Sequence, residues 1–83
     1  MSQRDRRRRF DVVVIRFERR QGRRRITAVR VIGSARPCQR FLVVGERVGP
    51  ASRCLLRNGF RLVRVQGNVL VFVRVRRRDR GSC

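Results

Sequence analysis

The residue type with the most chemistry to offer in this chain is arginine. All 24 basic residues are Arg, and they face five carboxylates, Asp5, Asp11, Glu18, Glu46 and Asp79. A guanidinium is a planar fork that grips two phosphate oxygens at once and stacks on bases. General acid–base catalysis draws on His or on positioned carboxylates. His is absent, and no two of the five acids form a recognisable pair. Each of them has an Arg within two residues, Asp11 through Arg9. They read as surface acids screened by neighbouring cations. The three cysteines, Cys38, Cys54 and Cys83, are odd in number and form no CxxC pair. Without His they cannot complete a four-ligand zinc site, so free thiols in a reducing compartment are expected. No phosphate-cradling loop and no nucleophile elbow occurs. The expectation is a protein that is not an enzyme, with no cofactor, no metal and no small-molecule substrate.

What the Arg side chains require is a polyanion. A net charge of +19 on 83 residues repels itself, and at a pI near 12 nucleic acid is the natural counterpart. An anionic membrane would call for an amphipathic helix with Arg on one face, whereas the apolar residues here alternate with a period of two. No run of about 20 apolar residues is present to span a bilayer. The absence of Lys, Tyr and His, with Asn scarce, is also what a bias against adenine-rich codons produces. The guanidinium chemistry is the same under either origin.

The elements that must position these cations are short strands. Residues 10–17 (FDVVVIRF) put Val13, Ile15 and Phe17 on one face and turn Arg16 outward. A Gly-centred loop is expected over 18–25 (ERRQGRRR), then strands over 26–32 (ITAVRVI) and 40–44 (RFLVV). A second loop follows over 46–53, broken by Gly49–Pro50. Residues 54–57 are open to two readings: a short helix begun at Pro50 and closed by Asn58–Gly59, or a strand entering an Asn-Gly turn. Strands over 60–65 and 69–75 complete the set. Five or six short strands predict an all-β fold, a small five-stranded barrel of the OB type, which also removes bare strand edges. The domain plan is a basic arm over 1–9, one barrel domain over 10–76 and a basic tail over 77–83.

Arg24–Val31, Leu42–Gly45, Cys54–Gly59 and Gln66–Gly67 with Arg74 beyond it, taken in order, resemble the universal small-subunit ribosomal protein twelve, the OB-fold protein of the decoding centre. Arg24–Val31 (RRITAVRV) resembles RKVARVRL of that family. Leu42–Gly45 falls near its YIPG, and Cys54–Gly59 (CLLRNG) resembles VLVRGG. Gln66–Gly67 stands for the Pro-Gly of DLPG, with Arg74 seven residues beyond Gly67 as in PGVRYHIVRG. The family's Pro-Asn-Ser is replaced by Gln21–Gly22, and nothing of its GHNLQEH loop is kept. A shorter match joins residues 22–33 to the large-subunit protein fourteen through its GARxxxCIxVLG spacing. The stretch LLRNGF…RVQGNVLVF is similar to the HicA-type mRNA-interferase toxins, where a helix ends at Gly-Phe and an Arg precedes Gly-Ser-His. Gly59, Phe60, Arg64, Gly67 and Phe72 match that spacing, but Val69 stands at the position of the catalytic His.

The first resemblance implies a structural constituent of the ribosome that binds rRNA near the decoding region, beside neighbouring ribosomal proteins. The short chain implies a mitochondrial ribosome, with another organelle or the cytoplasm as alternatives. The alternative functions are a free-standing nucleic-acid binder, viral or regulatory, and a degenerate HicA-like RNA-binding module. The expected phosphate contacts are Arg6, Arg7, Arg8 and Arg9 in the arm and Arg19, Arg20, Arg23, Arg24 and Arg25 in the first loop. Arg47, Arg53 and Arg57 are expected from the second loop and its continuation, and Arg76, Arg77 and Arg78 from the tail. Four of the five Phe lie in apolar strands, so an aromatic stacking platform is not expected.

Overall fold

The computed structural model describes residues 10–75, so Arg6–Arg9 and Arg76–Arg78 lie outside the described residues. Four strands form one antiparallel sheet: β1 (Phe10–Arg20), β2 (Arg23–Ile32), β3 (Arg61–Gln66) and β4 (Val69–Val75), in the order β2-β1-β4-β3. One helix, α1 (Val48–Arg57), connects the two hairpins. In β1 the odd positions Asp11, Val13 and Ile15 are buried, while Val12 and Val14 are half-buried on the other face and Arg16 is exposed. That is the parity the alternation of β1 demands. Ile26, Leu70 and Phe72 share the buried face, and Val48, Ala51 and Leu55 of α1 pack over it with Phe60.

The fold is mostly β, but it is not a five-stranded barrel. The missing strand is the RFLVV segment. Gln39–Phe41 is instead a single 3₁₀ turn, and its neighbours also close local turns. Phe41 N–H donates to Cys38, Leu42 N–H to Gln39 and Glu46 N–H to Val43, so these donors are spent locally rather than on a ladder. Phe41 and Leu42 pack against the core while Val43 and Val44 are exposed, a split that follows no two-residue period. With no fifth strand, β2 and β3 remain edges and the sheet stays open. The β3 edge carries Arg61, Arg64 and a bulge between Leu62 and Arg64, devices that discourage strand addition.

The ambiguous residues 54–57 are helix, the last turn of α1. Val48, Ala51 and Leu55 recur at helical spacing, and Pro50 sits in the first turn, where its missing N–H costs nothing. Gly59 ends the helix at φ 92°, with Gly59 N–H donating to Leu56 and Phe60 N–H to Leu55, the paired bonds of a Schellman motif. The second loop expected over 46–53 is therefore mostly the start of α1.

Cys38 and Cys54 are joined in a disulfide, Cα–Cα 5.7 Å, which corrects the expectation of free thiols for these two, while Cys83 lies outside the described residues. Widely spaced cysteines with no motif gave no sign of the pairing; α1 and the Pro37 turn bring them together. Closing a loop of 16 residues constrains the unfolded chain and is worth about 3 kcal/mol in the chain-entropy model. Adding a thiol reductant should lower the urea midpoint accordingly, and a double Cys38→Ser, Cys54→Ser variant should lose that sensitivity.

Asp11 corrects a second expectation. It is wholly buried rather than a screened surface acid. Its Oδ2 accepts from Arg74 Nε at 2.9 Å, and its Oδ1 accepts from the Ser34 backbone N–H at 2.9 Å. Arg74 spreads over three segments, donating from Nη1 to the Arg36 and Asn58 carbonyls and from Nη2 to the Ser34 carbonyl. Its guanidinium lies 4.4 Å from the centroid of the Phe60 ring. The whole fork is used inside the molecule, so the Arg that the ribosomal resemblance singled out has a structural role.

Candidate nucleic-acid interface

β1 is longer than its pairing with β4. The β1–β4 ladder ends at Arg16↔Val69, and one further bond runs from Phe17 N–H to the Asn68 carbonyl at 3.0 Å. Past that point residues 18–25 leave β4 behind and continue as the β1–β2 pair, a two-stranded ribbon beyond the sheet. The expected Gly-centred loop is thus strand on both sides of its two central residues. Gln21 and Gly22, at φ 53° and 79°, make the two-residue turn with both dihedrals positive that a tight hairpin needs. Gln pays for a left-handed conformation that Asn tolerates, so Gln21→Asn should raise stability by up to about 1 kcal/mol, read as a higher urea midpoint.

The register sets like charges opposite one another. Arg19 pairs with Arg24 and Arg20 with Arg23. Directly opposed like charges destabilise a hairpin, and little on the ribbon offsets them. Glu18 reaches Arg20 at 3.6 Å, an exposed ion pair of the kind that contributes little. Arg24 lies 5.3 Å from the centroid of Phe17 on the same face as Arg19, a cation–π contact that orders it. Arg20, Gln21, Arg23 and Arg25 line a shallow cleft on the other side of the tip.

The second loop is docked at the root of this ribbon. Ile26 N–H donates to the Glu46 carbonyl at 2.9 Å and Gly45 N–H returns to Ile26 at 2.8 Å, so Arg47 bridges Arg25 across the β2 edge. Arg25 Nη1 also donates to the Gly45 carbonyl at 2.9 Å. Arg47 therefore joins the five ribbon Arg in one basic region. Arg53 and Arg57 are elsewhere: they lie one turn apart on the exposed side of α1, where Arg57 also suits the negative end of the helix dipole.

Sequence reasoning passed over Arg16, Arg30, Arg61 and Arg64, which are exposed on strands. The signal was available in parity, because Arg16 shares its face with Val12 and Val14 and opposes the core residues. Among the described residues the acids are Asp11, Glu18 and Glu46, so the exposed cations far outnumber their partners. No group of three His, Cys, Asp or Glu among the described residues could hold a metal ion. No described helix is long and apolar enough to cross a membrane. Comparison of the chain with protein-family models, curated proteins and solved structures finds no match.

Proposed function

We propose that this protein binds structured RNA through Arg–phosphate pairs, with the β1–β2 ribbon and Arg47 as the principal contact and ribosomal RNA as its partner. The observation that carries the proposal is the opposition of Arg19 to Arg24 and of Arg20 to Arg23. Four guanidinia held in a rigid two-stranded frame are unfavourable alone and favourable around phosphate, where each forms a charge-assisted fork. A-form grooves resist reading by side chains, so recognition rests on RNA shape and phosphate position. The ribosomal setting is supported by the ordered sequence resemblance and bulk charge; the open sheet is a different architecture from the barrel that the resemblance implies.

A second reading is a HicA-like RNA-binding module without cleavage. It is supported by α1 closing at Gly59, with Phe60 buried beneath it, as the interferase resemblance implies. Val69 in the place of the His removes the reactive group. Both readings place the chain on RNA.

Binding to an RNA hairpin should fall steeply with salt, by roughly 0.7 to 0.9 in log–log slope for each phosphate neutralised. A flat salt response would refute RNA binding by this mechanism. Co-sedimentation at low salt separates the two settings. Migration with small ribosomal subunits is expected, and a protein that stays at the top of the gradient is not a ribosomal constituent.

A further inference from the structure

We propose that the uncovered face of the sheet docks an acidic amphipathic helix of a partner protein. The sheet has one face under α1 and one face with nothing on it among the described residues. The register places Val12 opposite Val73 and Val14 opposite Val71, on the face away from Val13 and Phe72. These four valines occupy the two central strands and are half-buried only by one another and their neighbours. The cations on the same face stand around them. Arg30 pairs Val14 from the β2 edge, while Arg61 and Arg64 pair Val73 and Val71 from the β3 edge. Arg16 stands at the end nearest the ribbon.

This arrangement is a trough with an aliphatic floor and cationic walls. Edge strands β2 and β3 are three inter-strand steps apart, about 14 Å. A helix with its side chains is about 10–12 Å across, so one fits along the central strands between Arg30 on the β2 edge and Arg61 and Arg64 on the β3 edge. Its apolar stripe would cover the valines and acids on both flanks would meet Arg30 on one side and Arg61 and Arg64 on the other. The core side of the sheet already shows a helix packed on it, with Val48, Ala51 and Leu55 of α1 clustered with Val13, Ile15 and Phe72.

Charge complementarity decides among occupants. A second copy would set Arg against Arg, and residues 1–9 and 76–83 bring further Arg of the same sign. A nucleic acid would find phosphate partners at Arg30, Arg61 and Arg64 but would leave the four valines of the floor unmatched. The partner is therefore a protein segment with an apolar stripe and acidic flanks. The site is separate from the ribbon and stands or falls apart from RNA binding.

The test uses a fluorescein-labelled 18-residue peptide with Leu on one helical face and Glu on both flanks, followed by anisotropy. Two control peptides are used, one with the same composition scrambled and one with Lys in place of Glu. The wild-type protein should bind the amphipathic acidic peptide at least about tenfold tighter than the scrambled one. Arg30→Glu with Arg61→Glu, both exposed edge-strand positions, should cost about tenfold or more and transfer preference to the Lys peptide. Val71→Thr, which keeps shape and strand propensity, should weaken the peptide and leave RNA binding unchanged. Replacing Arg19 and Arg24 with Ser should do the reverse. Equal binding of the scrambled peptide, or an affinity untouched by the charge reversal, overturns the proposal. It is also overturned if an RNA hairpin displaces the peptide and loses as much affinity as the peptide in the reversed variant.

Discussion

Arg74→Met is expected to unfold the protein or leave it barely folded, at a cost of about 3–5 kcal/mol. Removing the guanidinium takes the Arg74 cation from Asp11 Oδ2, and Asp11 has no exposure through which water could replace it. The loss is wider than one pair. The same guanidinium holds the carbonyls of Ser34, Arg36 and Asn58 and covers the Phe60 ring, so the turn after β2 and the end of α1 lose their tether together. Arg74→Lys should recover only part of the stability, because an ammonium cannot form a planar fork over a ring while reaching three carbonyls. Gly33→Ala should act on the same node from the other side. A Cβ there collides with Asp11 Oδ1, and φ 91° already disfavours a side chain. A domain this small has a stability of only about 5–15 kcal/mol, in all cases toward the lower end, so urea midpoints will separate these variants. If Arg74→Met folds as well as wild type, the node contributes nothing and the account of the core is wrong.

The second large effect has opposite signs for stability and binding. Replacing Arg19, Arg20, Arg23 and Arg24 with Ser should weaken RNA binding by on the order of 10³-fold at about 0.1 M salt and reduce the salt slope by roughly 3. The same change should leave the free protein no less stable, since two directly opposed like-charge pairs are removed. Arg24→Glu sharpens the contrast by turning the Arg19↔Arg24 position into an opposite-charge pair. It should stabilise the hairpin by about 0.2–1 kcal/mol while lowering RNA affinity. Filter binding across a salt series and a urea titration on the same preparation read both quantities. A variant that loses affinity and stability together would show that these residues serve the fold and that the ribbon is no interface.

How much of this was legible depended on which signal each segment carried. The parity of β1 was plain in FDVVVIRF, because β-branched residues alternate with positions that must turn outward. The hairpin of β3 and β4 was plain for the same reason. The ribbon was misread because ERRQGRRR is nearly all charge, and charge alone does not distinguish strand from loop when neither face is buried. Only the β1–β2 pairing, nucleated by the Gln21–Gly22 turn, makes those residues strand. RFLVV failed in the opposite direction: an apolar run with high strand propensity folds as turns, because the Cys38–Cys54 bond anchors its start and its donors bond locally. Asp11 was illegible on local grounds. Its partner lies 63 residues away, and no neighbour in the chain announces a buried carboxylate. Among candidate site residues, the ribbon Arg and Arg47 come together, whereas Arg53 and Arg57 stand apart on the helix.

The seam between β1 and β4 also governs when the molecule can exist. β1 is the first described strand to be synthesised and β4 the last, yet they are neighbours at the centre of the sheet. The β1–β2 hairpin can close early, at the cost of a short loop. The core cannot, because Phe72, Leu70 and Arg74 all arrive with the final strand, and pairings of such long sequence separation are slow to form. Until then the valines of β1 lack a neighbour on one side and Arg74 is not yet beside Asp11. A nascent chain held short of residue 69 should therefore carry a protected hairpin and an unprotected Cys54–Phe60 segment in hydrogen exchange. Release of the last strand should extend protection to that segment.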